Sequence, residues 1–149
     1  MKRNRLVVIG LSVFLLTQTA ISVYAAEYPT ISTETSSYTS AIVPRMKYTA
    51  RVATNLIIDS KGKATVTASV DGYKNITSKV NISAELQRYK NGKWSVVTTF
   101  SDSDNSHRVR LYETYKVSKG YKYRVAVTSI AVHNGKSETQ TVTSGSSTY

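Results

Sequence analysis

A repeated alternation of apolar and polar residues is the feature that most constrains the fold of this chain. It is clearest between residues 117 and 140, where one face carries Tyr121, Tyr123, Val125 and Val127, and the other carries Lys122, Arg124, Ala126 and Thr128. A period of two residues is typical of a strand with one buried and one solvated face. Asn134-Gly135 follows, and both residues tolerate the positive φ of a type I′ turn. The segment therefore predicts a β-hairpin with Tyr123, Val125 and Val127 as structural residues.

The same alternation recurs upstream, from residue 51 to 58, from 64 to 70 and from 80 to 86. Asn91-Gly92 predicts a second hairpin, and Trp94 continues its return strand as a further structural residue. Turn signals recur about every 8 to 15 residues and no segment has helical periodicity, a spacing shown by all-β sandwiches. The sequence thus predicts an all-β protein of about seven antiparallel strands, a β-sandwich or a small barrel.

Two motifs carry a resemblance to known sandwiches. Lys119-Gly120-Tyr-Lys-Tyr123-Arg-Val125-Ala-Val127, followed by Asn134-Gly135 and Ser137, resembles the closing strands of fibronectin type III and related immunoglobulin-like domains. The run from Arg88 to Trp94 resembles the hairpin between their third and fourth strands. The resemblance covers about residues 80–143. It implies an immunoglobulin-like sandwich with Tyr123 at the tyrosine-corner position, where the ring is buried and the hydroxyl bonds to nearby backbone.

The first residues have the order of a secretory signal peptide. A basic segment with Lys2, Arg3 and Arg5 precedes an apolar run and a small-residue region, which predicts cleavage after Ala25 or Ala26. The apolar run is shorter than the ~20 residues of a spanning helix, so no membrane span is expected after cleavage. We expect a signal peptide at 1–25, a flexible Ser/Thr-rich lead-in at 26–47, a sandwich at 48–144 and a polar tail at 145–149.

The order of segments in the mature chain also resembles a family of small secreted Gram-positive proteins of unknown function. The shared features are the signal, the Ser/Thr-rich lead-in and the ending Ser-Lys-Gly-Tyr-x-Tyr-Arg-Val, here residues 118–125. The resemblance implies a secreted location and a fold, but no activity. Whether the protein is released or retained at the cell wall stays open. The chain has no Cys, so no disulfide braces the domain in an oxidising compartment.

Basic residues are the most informative functional signal. Losing Lys2, Arg3 and Arg5 from 20 basic residues leaves 17 against 9 acidic ones, a net charge of about +8. Arg108 and Arg110 are expected to share one solvated face with Tyr112, and Lys122 and Arg124 another. Such faces attract anionic partners, for a secreted protein an envelope polymer or glycan before nucleic acid. The alternative is that the charges only keep a β protein soluble. The oligomeric state stays open.

No residue pattern indicates catalysis, and the sequence predicts neither an enzyme nor a cofactor. His107 and His133 stand in predicted loops or turns without a motif. Asp102, Asp104 and Ser106 begin like a calcium loop, but His107 stands where that loop needs Gly, so no metal site is expected. We expect a non-enzymatic binding or structural module at the cell envelope. The alternative is a secreted antagonist, bacteriocin-like or toxin-like, acting on other cells.

Overall fold

A computed structural model describes residues 35–42 and 46–149 of the chain. The predicted signal peptide and residues 26–34 of the predicted lead-in lie outside the described residues. The described part is all-β, with two packed antiparallel sheets. This confirms the predicted all-β antiparallel sandwich, since a small barrel would close a single sheet on itself.

Nine strands are described, more than the about seven predicted. They are β1 (Thr35–Ile42), β2 (Thr49–Ile58), β3 (Lys63–Gly72), β4 (Lys79–Lys90), β5 (Lys93–Asp104), β6 (Arg108–Lys116), β7 (Lys122–His133), β8 (Lys136–Thr143) and β9 (Ser147–Thr148). Sheet A has the order β1-β2-β3-β6, and sheet B has the order β5-β4-β7-β8, with β9 paired to the start of β7. Strands β2 to β8 supply the seven-stranded framework, and β1 and β9 extend its edges.

The core lies between the sheets and follows the predicted alternation. On β3, every second residue from Ala64 to Val70 is buried. On β7 the same holds for Tyr123, Val125 and Val127. Each fully buried Val stabilises the fold by roughly 1.5–3 kcal/mol through removal of apolar surface from water. The residues between them, such as Lys122 and Arg124, point to the outer faces.

Tyr123 has the arrangement expected of a tyrosine corner. Its ring is 1% exposed, and its hydroxyl donates to the carbonyl of Ser118 at 2.8 Å. The same oxygen accepts the N–H of Ser118 at 3.2 Å. Burial raises the pKa of Tyr123, so the hydroxyl keeps its proton and can serve as this donor. The side chain thereby ties β7 to the segment that enters it.

Both predicted Asn-Gly hairpins are present. Asn91 and Gly92 join β4 to β5 with φ of 52° and 77°. Asn134 and Gly135 join β7 to β8 with φ of 49° and 74°. These are the positive values that a type I′ turn requires at both central positions.

The segment predicted to be a flexible lead-in contains a strand, so this expectation is wrong for residues 35–42. Within the predicted flexible lead-in, Thr35–Ile42 pairs residue by residue with β2. The polar stretch after Phe100 continues β5 as far as Asp104, which pairs with Val80. In both cases a neighbouring strand satisfies the backbone groups, and this pairing is not visible in a polar sequence.

The predicted polar tail, residues 145–149, also belongs to the sandwich. Ser147–Thr148 forms β9, and the carbonyl of Tyr149 accepts the N–H of Gly120. The Tyr149 ring packs over Gly62, so closely that a Cβ on this glycine would lie 2.5 Å from the ring carbon Cε1. The tail contacts the core because Tyr149 supplies an aromatic side chain to an otherwise polar segment.

One carboxylate connects the two sheets. Glu138 on β8 accepts three successive backbone N–H groups at the start of β2: Lys47 at 2.7 Å, Tyr48 at 2.8 Å and Thr49 at 3.1 Å. Partial burial raises the pKa of Glu138, but the three N–H donors outweigh it and hold the pKa below its ordinary value. The charged form is therefore the one that the fold stabilises.

Candidate functional site: the outer faces of the two sheets

The predicted pair Arg108 and Arg110 lies on the outer face of sheet A, beside Tyr112 on the same strand. Both guanidinium groups donate to one oxygen of Asp71: Arg108 Nε at 2.7 Å and Arg110 Nη2 at 2.7 Å. Arg110 Nη1 also donates to the carbonyl of Val70 at 3.2 Å. The two side chains are therefore held in place, although each remains about half exposed.

Asp71 does not neutralise this face. Partial burial raises its pKa, but Arg110 and Arg108 outweigh the burial and hold the pKa below its ordinary value, so the carboxylate is ionised at neutral pH. Arg51 on β2 stands directly opposite Asp71 in the register, and its Nη2 donates to the hydroxyl of Tyr38 at 2.5 Å. These four charged residues, Arg51, Asp71, Arg108 and Arg110, form what we call the arginine cluster. It carries three positive charges and one negative charge.

A groove of about 310 Å³ runs beside the arginine cluster on the outer face of sheet A. Its lining comes from all four strands and includes Tyr38, Ala53, Asn55, Thr67, Ser69, Arg110 and Tyr112. The floor is low because Ala53 and Ser69 are small, whereas the tyrosines stand at the two edges of the sheet. Tyr38 is 60% exposed and Tyr112 is 67% exposed. Exposed aromatic rings of this size on a rigid sheet are typical of a contact surface.

The predicted pair Lys122 and Arg124 lies on the outer face of sheet B. The Arg124 guanidinium stacks over the Trp94 ring at 4.2 Å from its centroid, and its Nε donates to Gln87 at 2.9 Å. Trp94 also contacts the ring of Tyr89, with centroids 5.1 Å apart. Arg124 is thus engaged in a cation–π contact that orders this face. Trp94, predicted as a structural residue, is half-buried within this outer-face cluster.

The two predicted cationic pairs therefore lie on opposite sides of the sandwich. Arg108 and Arg110 belong to sheet A, and Lys122 and Arg124 to sheet B. A single flat ligand cannot contact both pairs at once. The pairs are two separate surfaces, and only the sheet A pair adjoins further arginine charge and a groove between exposed tyrosines.

Sheet B has its own groove, of about 470 Å³. Hydroxyl and amide side chains line most of it, among them Asn81, Ser83, Ser101, Ser103 and Thr128, together with the carboxylate of Asp102. This lining includes no basic or aromatic side chain. An anion would meet a like charge there, so the groove does not suit the predicted class of partner.

The residues weighed for catalysis and metal binding are dispersed. Asp102 and Asp104 lie in β5, whereas Ser106 and His107 lie in the loop between β5 and β6. Across residues 35–42 and 46–149, no group of three or more His, Cys, Asp or Glu is placed to hold a metal. The His133 ring packs against Tyr48, with centroids 5.4 Å apart.

Three members of the sheet A face were missed by the sequence reasoning: Tyr38, Arg51 and Asp71. Tyr38 stands in the Ser/Thr-rich lead-in, where no apolar alternation marks a strand. Asp71 follows the alternating run at residues 64–70, so the pattern assigns it to neither face. Its pairing with Arg108 depends on which strands are neighbours, and single-strand patterns carry no such information. For strand β1, the one signal in the sequence is Tyr38, a residue type enriched in strands, within a run of Ser and Thr.

The chain matches no protein-family model, and no curated protein is significantly similar to it. Within the described part of the chain, no helix has the length and apolar character needed to cross a membrane. The geometry of the outer faces therefore carries the functional argument.

Proposed function

We propose that this protein is a secreted, non-enzymatic binding module of the bacterial cell envelope, and that it holds an anionic envelope polymer on the outer face of sheet A. The observation that carries the proposal is the arginine cluster, where the guanidinium groups of Arg108 and Arg110 both bind the Asp71 carboxylate and Arg51 stands opposite Asp71 on the neighbouring strand. The cluster keeps a net positive charge at neutral pH even though Asp71 is ionised there. Guanidinium groups suit carboxylate and phosphate partners because their donors form a planar fork.

The charge of the whole chain supports the same reading. The mature form expected from the sequence carries about +8, which raises the local concentration of anionic polymers around the protein. The rigid sheet then fixes the orientation of the bound polymer, because Asp71 and the Val70 carbonyl already hold Arg110 in one conformation. Little side-chain freedom remains to be lost on binding.

Sedimentation with isolated cell walls tests the proposal. Protein produced from the full-length chain should sediment with walls at ~0.05 M salt and be released at ~0.5 M, because screening shortens the field to about 10 Å at 0.1 M. Replacing Arg108→Gln and Arg110→Gln together should reduce binding at low salt. The matched control is Lys122→Gln with Arg124→Gln, which removes the same charge from the opposite face and should have the smaller effect.

Two results would count against the proposal. Equal sedimentation at both salt concentrations, or none at either, contradicts electrostatic wall binding. Recovery of the protein only from the cytoplasm, with Met1 still present by mass spectrometry, contradicts secretion. Circular dichroism of each variant checks that the sandwich is intact before its binding is compared.

A further inference from the structure

One row of side chains crosses the whole outer face of sheet A. The strand register places Tyr38 opposite Asn55, Asn55 opposite Thr67, and Thr67 opposite Tyr112. Three strand spacings separate the two tyrosines, a distance of ~14 Å. Because opposed residues point to the same face, both rings stand over the same groove.

The groove between the rings is polar and shallow. In the adjacent row, Ala53 stands opposite Ser69, and Ser69 opposite Arg110. The hydroxyls of Thr67 and Ser69 face the groove, and neither has a side-chain hydrogen-bond partner among the described residues. They are available to a ligand that carries hydroxyl groups of its own.

We infer that this groove binds a sugar chain whose rings carry carboxylate groups, a polyuronate type of glycan. The inference rests on the proposed function and names the chemical class of its ligand. The C–H face of a pyranose ring is apolar and packs on an exposed tyrosine ring, while its hydroxyls reach the floor. A few sugar units span the distance between Tyr38 and Tyr112.

The arginine cluster selects the charged form of such a sugar chain. Arg110 lines the groove beside Tyr112, and Arg51 donates to the hydroxyl of Tyr38. A positively charged side chain therefore lies near each of the two tyrosine rings. A uronic acid holds its carboxylate on the ring, so stacking on a tyrosine brings the charge within reach of a guanidinium. A flexible polyanion without rings would gain the charge contact but not the stacking.

A titration with defined probes tests this inference on protein produced from the full-length chain. The probes are a galacturonic acid oligosaccharide, the same oligosaccharide with its carboxylates methyl-esterified, and poly-glutamate of similar charge. The oligosaccharide should bind most tightly by calorimetry. Esterification should weaken binding because the charge is lost, and poly-glutamate should bind weakly because it offers no ring.

Tyrosine variants separate stacking from charge. Tyr112→Ala should weaken oligosaccharide binding on the order of tenfold, the loss of one ring contact worth about 1.4 kcal/mol. Tyr38→Ala should act in the same direction. The matched control is Tyr115→Ala, on the same strand as Tyr112 but opposite the buried Ala64, and so on the other side of the sheet. A urea unfolding curve for each variant distinguishes loss of stability from loss of the ring contact with the oligosaccharide.

The outcomes distinguish this inference from the proposed function. Equal binding of poly-glutamate, or unchanged affinity in Tyr112→Ala and Tyr38→Ala, overturns ring stacking while leaving salt-sensitive wall binding intact. Equal binding of the methyl ester overturns the carboxylate requirement. If walls are bound but the oligosaccharide is not, the ligand class is wrong. If walls are not bound either, the result contradicts the proposed function as well as the ligand class.

Discussion

Replacing Glu138→Gln tests whether one carboxylate holds the two sheets together. The two oxygens of Glu138 accept N–H groups from Lys47, Tyr48 and Thr49. Glutamine has one acceptor oxygen, which can still accept the N–H groups of Tyr48 and Thr49, but as an uncharged acceptor. Its amide nitrogen then faces the Lys47 N–H, donor against donor.

The size of the loss follows from these contacts. Hydrogen bonds to a charged group contribute roughly 1.5–3 kcal/mol, about twice a neutral one. Two bonds are weakened, and the third is replaced by water because Lys47 is exposed. Glu138 is itself only partly buried, so solvent screening reduces the charge contribution. We expect Glu138→Gln to lower the free energy of unfolding by about 1–2 kcal/mol.

The loss should depend on pH with a defined sign. The pKa of Glu138 in the folded protein lies below its ordinary value of 4.5, so the carboxylate contributes its full stabilisation above about that pH. As pH falls through the folded-state pKa, the contribution disappears. Urea unfolding should therefore show a difference between wild type and Glu138→Gln that is largest near neutral pH and shrinks in acid.

The control is Glu113→Gln, an exposed carboxylate on β6 for which the described residues show no hydrogen bond. It should change the free energy of unfolding little. Equal losses in the two variants, or a Glu138→Gln difference that persists undiminished in acid, would refute the assignment of this stabilisation to the charged carboxylate.

Two further predictions concern the interior and the turns. Tyr123→Phe removes the hydroxyl that bonds Ser118 and should cost about 1 kcal/mol, while Val125→Ala should cost about 2 kcal/mol or more by urea unfolding. Lys122→Ala is their control, and a loss equal to that of Val125→Ala would contradict the inward and outward assignment on β7. Gly62→Ala should destabilise more than Gly92→Ala, because both have positive φ but only Gly62 lies under the Tyr149 ring. Equal losses would mean that the ring moves aside freely.

The alternation of side chains predicted the core of this protein well, because burial on one face of a strand is a local property. Val125, Val127 and the hairpins at Asn91-Gly92 and Asn134-Gly135 could be identified from neighbours in the sequence alone. The tyrosine corner at Tyr123 needed in addition a resemblance to known sandwiches.

The outer faces could be predicted only in part. Periodicity showed that Arg108, Arg110, Lys122 and Arg124 point outward, but not which of them share a surface. That depends on strand order, which pairs β3 with β6 and brings Asp71 to the arginines. Strand β1 was missed because an edge strand buries little and its Ser and Thr residues resemble a linker.

The pairing of β3 with β6 and of β4 with β7 has a consequence for how the chain folds. Neither pair is adjacent in sequence, so sheet A acquires its edge strand β6, and sheet B its central pair, only after long loops have closed. The high contact order of such sandwiches places their folding in the range of milliseconds to seconds. Local hairpins such as β4–β5 and β7–β8 can form early. Both belong to sheet B, and neither can bury its apolar face until sheet A packs against it. Folding is therefore expected to be a single cooperative event, in which the nucleus contains strands from both halves of the domain.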